Sequence, residues 1–98
     1  MKRAELYSKL EAYTRLPLAE YPTPLEFLPR LSKELGRAIY IKRDDGIGPS
    51  FGGNKTRKLE FLLAHARREQ AESILTFGCA GSNHALATTL YARQLGMK

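Results

Sequence analysis

Residues 52–63 read GGNKTRKLEFLL, and this stretch decides the fold. Before it, residues 46–53 hold four glycines and a proline, a composition typical of a loop. After it, apolar residues recur at the spacing of one helical face: Leu59, Leu62, Leu63 and Ala66. We therefore predict a glycine-rich loop followed by an amphipathic helix that runs to about Gln70.

Two strand candidates flank this loop and helix. Residues 38–42 (AIYIK) precede the loop, and residues 73–77 (SILTF) follow the helix. A second glycine-rich loop, residues 78–81, then leads into a helix that Gly96 ends, with Ala87, Leu90, Tyr91 and Leu95 on one face. This βαβα order is typical of an open parallel sheet, whose ligands bind at the carboxyl ends of the strands. We predict that both loops face a ligand.

The residues before the first strand are expected to form an arm. Leu6, Leu10 and Tyr13 predict a short amphipathic helix, which Pro17 ends. The prolines of residues 21–25 favour an extended segment, and a helix should follow with Pro29 in its first turn and Gly36 at its end.

We divide the chain into residues 1–50, with the arm, helices and first strand, and residues 51–98, the start of an α/β unit in βαβα order. A two-stranded parallel sheet cannot cover both of its faces. The unit is therefore expected to be incomplete at its C-terminal end, and the chain to be either the N-terminal part of a longer protein or one piece of an assembly.

Composition narrows the class of protein. Of the 98 residues, 43% are apolar and 27% charged, which excludes a disordered tail, and no window of 18 apolar residues could span a membrane. A single cysteine excludes an internal disulfide framework, and no Cys/His spacing suggests a metal site. Glu5, Lys9 and Glu11 interrupt any signal-peptide core, so a cytoplasmic location is expected. The net charge of +6 admits phosphates, carboxylates or nucleic acid as partners.

The first loop places a lysine and a hydroxyl, Lys55 and Thr56, at a helix start, with Asn54 as the expected capping amide. Helix N-termini attract anions. Gly48 and Gly53 have the separation of a P-loop, but Asn54 intervenes where that motif requires lysine. Two interpretations stay open: a solvated basic helix start, or a lysine whose neutral amine reacts with an aldehyde.

The second loop leads to Ser82, whose hydroxyl and nearby backbone N–H groups could hold a carboxylate. A simple capped helix explains the same residues. Cys79 in this loop has no identifiable partner base, so we expect a small buried residue rather than a reactive thiol.

Four stretches in chain order carry a family resemblance: residues 22–30 (PTPLEFLPR), 41–45 (IKRDD), 52–62 (GGNKTRKLEFL) and 82–84 (SNH). They resemble the N-terminal part of the D-cysteine desulfhydrase and 1-aminocyclopropane-1-carboxylate (ACC) deaminase family, over about residues 20–97. The resemblance implies an α/β fold, the open twisted parallel αβα sheet of pyridoxal-phosphate enzymes of fold type II, which is tryptophan-synthase-β-like. It also implies a small amino-acid substrate, a homodimeric full-length form, and neither nucleic acid nor a membrane as partner.

The resemblance also assigns roles to residues. Lys55 would bind the aldehyde of pyridoxal 5′-phosphate covalently and later act as acid and base, and Asn54 and Asn83 would contact the cofactor, Asn83 at its ring hydroxyl. Ser82 would lie beside the substrate carboxylate or reacting carbon, with His84 nearby; Ser82, Asn83 and His84 together would hold the substrate. The family's phosphate loop has no counterpart in these 98 residues. The isolated chain is therefore expected to bind the cofactor weakly at best and to turn over no substrate.

Two departures from the family pattern bear on the substrate. Residues 78–81 read GCAG where the family usually has GGIQ or a similar run, and His84 replaces the glutamine common in the deaminases. The histidine favours β-elimination from D-cysteine, which gives pyruvate, ammonia and hydrogen sulfide; ring opening of ACC is the alternative.

A different class of function is a small basic module that binds phosphates or nucleic acid. Its contacts would be the basic residues of the central helix: Lys55, Arg57, Lys58, Arg67 and Arg68. Leucines divide these residues into two end clusters, and no aromatic residues are interleaved with them for base stacking. The sequence therefore disfavours this module.

Overall fold

The computed structural model describes residues 2–98, so only the first residue of the expected N-terminal segment lies outside it. In chain order the elements are α1 (Arg3–Glu11), β1 (Leu25–Phe27), α2 (Pro29–Leu35), β2 (Tyr40–Lys42), a 3-10 turn (Asp44–Gly46), α3 (Lys55–Arg68) and α4 (Asn83–Gln94). Within residues 2–98, no helix is long and apolar enough to cross a membrane.

The four predicted helices form. Helix α2 begins at Pro29 and ends at Gly36, which adopts φ +62° and donates its N–H to the Ser32 carbonyl. Helix α3 stops just short of Gln70, which takes φ +57°. Helix α1 differs in one respect from its expected role, because every residue of 3–11 is exposed and its apolar face covers no core.

The predicted first strand pairs differently from the expected parallel sheet. Of the predicted residues 38–42, only Tyr40–Lys42 form a strand, β2, which pairs antiparallel with β1. Phe27 lies opposite Tyr40, with ring centroids 5.2 Å apart. Residues flanking the strands extend this pairing, since Arg43 donates its N–H to the Pro24 carbonyl. Through β1, the proline-rich arm is thus the partner of β2.

The predicted second strand, residues 73–77, is not a strand in the part of the chain described. The Lys98 N–H donates to the Glu72 carbonyl at 2.9 Å, and the Ile74 N–H donates to the Lys98 carbonyl at 2.8 Å. These two bonds have the slanted pattern of a parallel pair. Beyond these bonds, Leu75 and Phe77 are 83% and 82% exposed. A full βαβα unit over residues 51–98 stays a prediction.

The core lies between α3 and α4. Leu59 and Leu63 of α3 pack with Ala87 and Tyr91 of α4, and all four are at most 2% exposed. The buried face of α3 follows the i, i+3, i+4, i+7, i+8 spacing of an amphipathic helix: Thr56, Leu59, Glu60, Leu63 and Ala64. One member of this face, Glu60, is ionisable.

Glu60 holds the arm against α3. Its Oε1 accepts the N–H groups of Leu18 and Ala19, each at 3.1 Å, and its Oε2 accepts the Tyr21 hydroxyl at 3.1 Å. Arg15 lies 3.6 Å from the same carboxylate. Burial, followed by the charge of Glu60, raises the pKa of Tyr21 to about 12, so the phenol stays a donor.

A second network joins the arm to the same helix. Asp44 accepts two bonds from the Arg57 guanidinium, both at 2.7 Å, and one from the Thr23 hydroxyl at 2.7 Å. The bonds from Arg57, together with that from Thr23, lower the pKa of Asp44 to about 2 against the opposing effect of burial. Both networks fix the start of α3 relative to the arm.

Replacing Glu60 by alanine should lower the free energy of unfolding by about 2–3 kcal/mol, because it leaves buried N–H and O–H donors without an acceptor. The measurement is urea unfolding followed by circular dichroism. Glu34→Ala, an exposed glutamate on α2, is the control and should cost under about 0.5 kcal/mol. Equal losses for the two variants would contradict the role given to Glu60.

The Asp44–Arg57 pair should make the free energy of unfolding depend on pH in the acidic range. The folded-state pKa of Asp44 lies below its unfolded value of about 3.9, so its contribution is complete above that value and is lost as the pH falls toward about 2. The stability difference between the natural chain and Asp44→Asn should therefore stay constant from about pH 7 to 5 and shrink below about pH 4. Urea midpoints at several pH values measure it, and a difference that grew on acidification would refute this assignment.

Candidate functional site

Lys55 is the first residue of α3, and its side chain is half-buried. Within residues 2–98 its ammonium makes one hydrogen bond, to Asn54 Oδ1 at 3.2 Å. The prediction that Asn54 caps the helix is wrong, because in the described chain its side chain accepts no backbone N–H. The reason is its backbone, which is already helical (φ −68°, ψ −9°) rather than extended as at most N-caps.

The glycines before Lys55 are required by a close approach of two backbones. A Cβ on Gly52 would collide with the carbonyl oxygen of Asp45, and Gly53 adopts φ +129°, which L side chains rarely take. The Gly53 N–H donates to the Asp44 carbonyl at 2.6 Å. The loop is therefore fixed on the 3-10 turn, and it delivers Lys55 to a defined place.

Ser82 is the N-cap of α4, as predicted, and its Oγ accepts the Ala85 N–H at 3.2 Å. A Cβ on Gly78 would lie 2.5 Å from the Ser82 Cβ, so the loop folds back on Ser82 only because position 78 is glycine. The Ser82 hydroxyl keeps its own proton to donate. This geometry satisfies the helix and still leaves a donor for a carboxylate.

Asn83 and His84 begin α4 beside this serine. Asn83 is exposed, and His84 is half-buried and lines a cavity of about 120 Å³ with the α3 leucines. The His84 Nδ1 is buried and has no hydrogen-bond partner among residues 2–98. Burying a polar atom without a partner costs free energy, so the His84 Nδ1 requires a further hydrogen-bond partner.

Cys79 departs from expectation, because its free thiol is exposed. The physical reason lies in the segment that precedes it: Phe77 is 82% exposed, so the chain has already left the core when it reaches the loop. Its neighbours in the loop are likewise exposed.

The two predicted loops lead into packed helices, but the start of α3 contacts the C-terminal part of α4, away from the second loop. Lys55 and Ser82 stand at the starts of α3 and α4, which pack on each other, although no hydrogen bond in the described chain links Lys55 directly to Ser82, Asn83 or His84. The donor set comprises an amine, a hydroxyl, an amide and an open glycine loop, where a Cβ on Gly81 would meet nothing within 4 Å. These groups suit an aldehyde-bearing cofactor and a carboxylate substrate, so the residues fit pyridoxal phosphate.

Sequence reasoning missed the contacts that hold the lysine loop, which is the glycine-rich segment 46–54 before Lys55. Tyr91 was predicted only to share one face of the last helix, yet its hydroxyl bonds Thr56, and Gln94 of α4 donates to Ser50 of the loop. No local signal could have found these pairs, since they join residues 35 and 44 positions apart.

The basic residues of α3 do not form a continuous patch. Arg57 is paired with Asp44, and its guanidinium also lies over the Tyr21 ring, 4.9 Å from the centroid. At the other end Arg68 contacts His65 and Glu69. These pairings disfavour a phosphate-tracking surface for nucleic acid.

Known proteins resemble this chain closely. The model of the family described as pyridoxal-phosphate dependent enzyme matches residues 16–98. The D-cysteine desulfhydrases of Salmonella paratyphi B and Salmonella newport are each 54% identical over 88 residues, which cover 90% of this chain and 27% of each relative. A crystal structure of an ACC deaminase homologue superposes with a TM-score of 0.90 at 42% identity, covering 100% of this chain and 30% of that one.

The chain therefore spans 27% of the length of the curated relatives it matches. The superposition confirms the expected fold class, the N-terminal portion of the α/β fold of this family, since it extends over the whole chain. Because the family match runs from residue 16 to residue 98, the chain belongs to the pyridoxal-phosphate dependent enzymes.

Proposed function

We propose that this chain supplies the cofactor-binding lysine and the substrate loop, residues 78–84, of an enzyme that acts on D-cysteine. The observation that supports this most directly is the half-buried residue Lys55, which a sterically constrained glycine loop holds at a helix start. Pyridoxal phosphate, when bound, supplies the electron sink for the bond to be broken. The residues of this chain supply binding, orientation and proton transfer.

Lys55 is proposed as the residue that binds the cofactor aldehyde and, once substrate replaces it, accepts and returns protons at its Nζ. Both tasks require the neutral form of an amine. Asn54 Oδ1 lies 3.2 Å from that nitrogen and is proposed to orient it. Asn83, the first residue of α4, is proposed to contact the cofactor ring.

Ser82 and His84 are proposed to hold the substrate. The Ser82 hydroxyl already accepts the Ala85 N–H and donates its remaining proton to the carboxylate of the amino acid. The N-terminus of α4 adds a partial positive charge, which attracts the carboxylate. His84 lies in the first turn of α4, and its imidazole is proposed to hydrogen-bond the thiol of the substrate.

The proposed reaction is β-elimination: D-cysteine and water give pyruvate, ammonia and hydrogen sulfide. The curated relatives carry the name D-cysteine desulfhydrase, and His84 favours a thiol-bearing substrate. Ring opening of ACC is the second candidate, supported by the likeness to an ACC deaminase homologue. A homodimeric full-length form and a cytoplasmic location stay predictions.

A chimera tests the role of Lys55: this chain replaces the matching 27% of the Salmonella desulfhydrase. The chimera should release hydrogen sulfide from D-cysteine, and Lys55→Arg should lower that rate about a thousandfold, because a guanidinium cannot bond the aldehyde. The matched control is Lys58→Arg, an exposed lysine one turn further along α3, which should retain the rate within about twofold. Full activity in Lys55→Arg would refute the assignment. The isolated chain, mixed with pyridoxal phosphate, should release no more sulfide than the free cofactor does.

His84→Gln in the same chimera tests the substrate. We expect the ratio of kcat/KM for D-cysteine over that for ACC to fall about tenfold, because the imidazole contact to the thiol is lost. His65→Gln, at the other histidine of the chain, is exposed on α3 and should leave the ratio unchanged. A chimera that folds and opens ACC but does not attack D-cysteine would make the deaminase reaction the correct one.

A further inference from the structure

The hydroxyls of Thr56 and Tyr91 form a buried hydrogen bond of 3.0 Å between α3 and α4. Thr56 is 0% and Tyr91 is 1% exposed, so each hydroxyl depends on the other for its partner. Removing either one would leave a buried polar group unpaired, which is costlier than losing the bond alone. The pair is therefore a specific link and not a generic packing contact.

This link lies in the first turn of α3. The first N–H groups of a helix lack partners inside the helix, and Asn54 gives no side-chain cap among the described residues. Thr56 is the second residue of α3, directly after Lys55. The tertiary bond to Tyr91 thus fixes a turn that has no local cap.

The C-terminal end of α4, which carries Tyr91, also contacts the glycine loop before Lys55. A Cβ on Gly48 would lie 3.8 Å from the Tyr91 hydroxyl, and Gln94 Nε2 donates to Ser50 Oγ at 2.5 Å. The contacts of α4 therefore bracket Lys55 in the chain, at positions 48–50 before it and at position 56 after it. Ser82 and Asn83 stand at the other end of this helix.

We propose that Tyr91 is a positioning residue for Lys55. Its hydroxyl fixes Thr56 and thereby sets the position of the Lys55 amine relative to the substrate loop that α4 carries. The inference rests on the proposed function, because it concerns how Lys55 meets the cofactor. Tyr91 touches neither cofactor nor substrate and acts through Thr56.

The test measures which lysine captures the cofactor. The 98-residue chain is incubated with pyridoxal 5′-phosphate and reduced with borohydride, and peptide mass spectrometry gives the ratio of label at Lys55 to label at Lys58. In the natural chain the ratio should exceed that of the urea-denatured chain several-fold. Tyr91→Phe and Thr56→Val should each lower it about fivefold, and the double variant should lower it no further.

Controls separate positioning from stability. Thr56→Ser keeps the hydroxyl and should retain the ratio within about twofold, although it loses a buried methyl group. Ser32→Ala removes a buried hydroxyl that bonds Ile39, in the arm region, and should likewise leave the ratio unchanged. Each variant is labelled at a temperature where its helical circular dichroism equals that of the natural chain.

The outcomes distinguish the two proposals. A Lys55 preference in the natural chain that persists in Tyr91→Phe and Thr56→Val overturns the positioning role and leaves the proposed function standing. If Tyr91→Phe does not fold, the contrast between Thr56→Val and Thr56→Ser decides. Absence of any Lys55 preference in the natural chain overturns this inference, whereas sulfide release by the chimera decides the proposed function.

Discussion

The buried carboxylate of Glu60 is the interaction on which the rest of the structure depends. A carboxylate that is 1% exposed is tolerated only when hydrogen bonds replace its water, and here two backbone N–H groups and a phenol do so. Because these donors come from the arm, Glu60 fixes the rotation of α3 about its own axis. With Glu60 facing the arm, Leu59 and Leu63 face α4, and Lys55 falls at the edge of the buried face.

Two steric constraints then place the reactive groups. Gly52 allows the lysine loop to lie against the Asp45 carbonyl, and Gly78 allows the second loop to fold onto Ser82. Neither glycine contributes chemistry. Each lets a helix begin where an amine or a hydroxyl is needed, so the site depends on close backbone approach as much as on its polar side chains.

Features set by local sequence could be predicted. The helices follow from apolar spacing, and Ser82 and Gly36 act as the expected cap and stop. The pairing of β1 with β2 could not, because a segment beside two prolines shows no strand signal and its partner lies about fifteen residues away. Exposure of Cys79 was missed for a related reason: sequence shows that a segment is apolar, but not what covers it.

The sequence predicts candidate site residues but not the contacts that support them. The roles of Lys55, Ser82 and His84 stay predictions from motifs, whereas the helical backbone of Asn54 rules out the cap predicted for it. The Thr56–Tyr91 and Ser50–Gln94 contacts join distant positions and carry no sequence signature. What positions a reactive group is therefore harder to predict than the group itself.

The central claim is that Lys55 bonds the cofactor. The most direct measurement is a crystal structure of this chain, in place of the matching segment of the Salmonella desulfhydrase, grown with pyridoxal 5′-phosphate. We expect continuous electron density from Lys55 Nζ to the aldehyde carbon of the cofactor, with Asn83 beside the ring. Density that joins the cofactor to Lys58 or to any other lysine, with Lys55 free, would contradict the account.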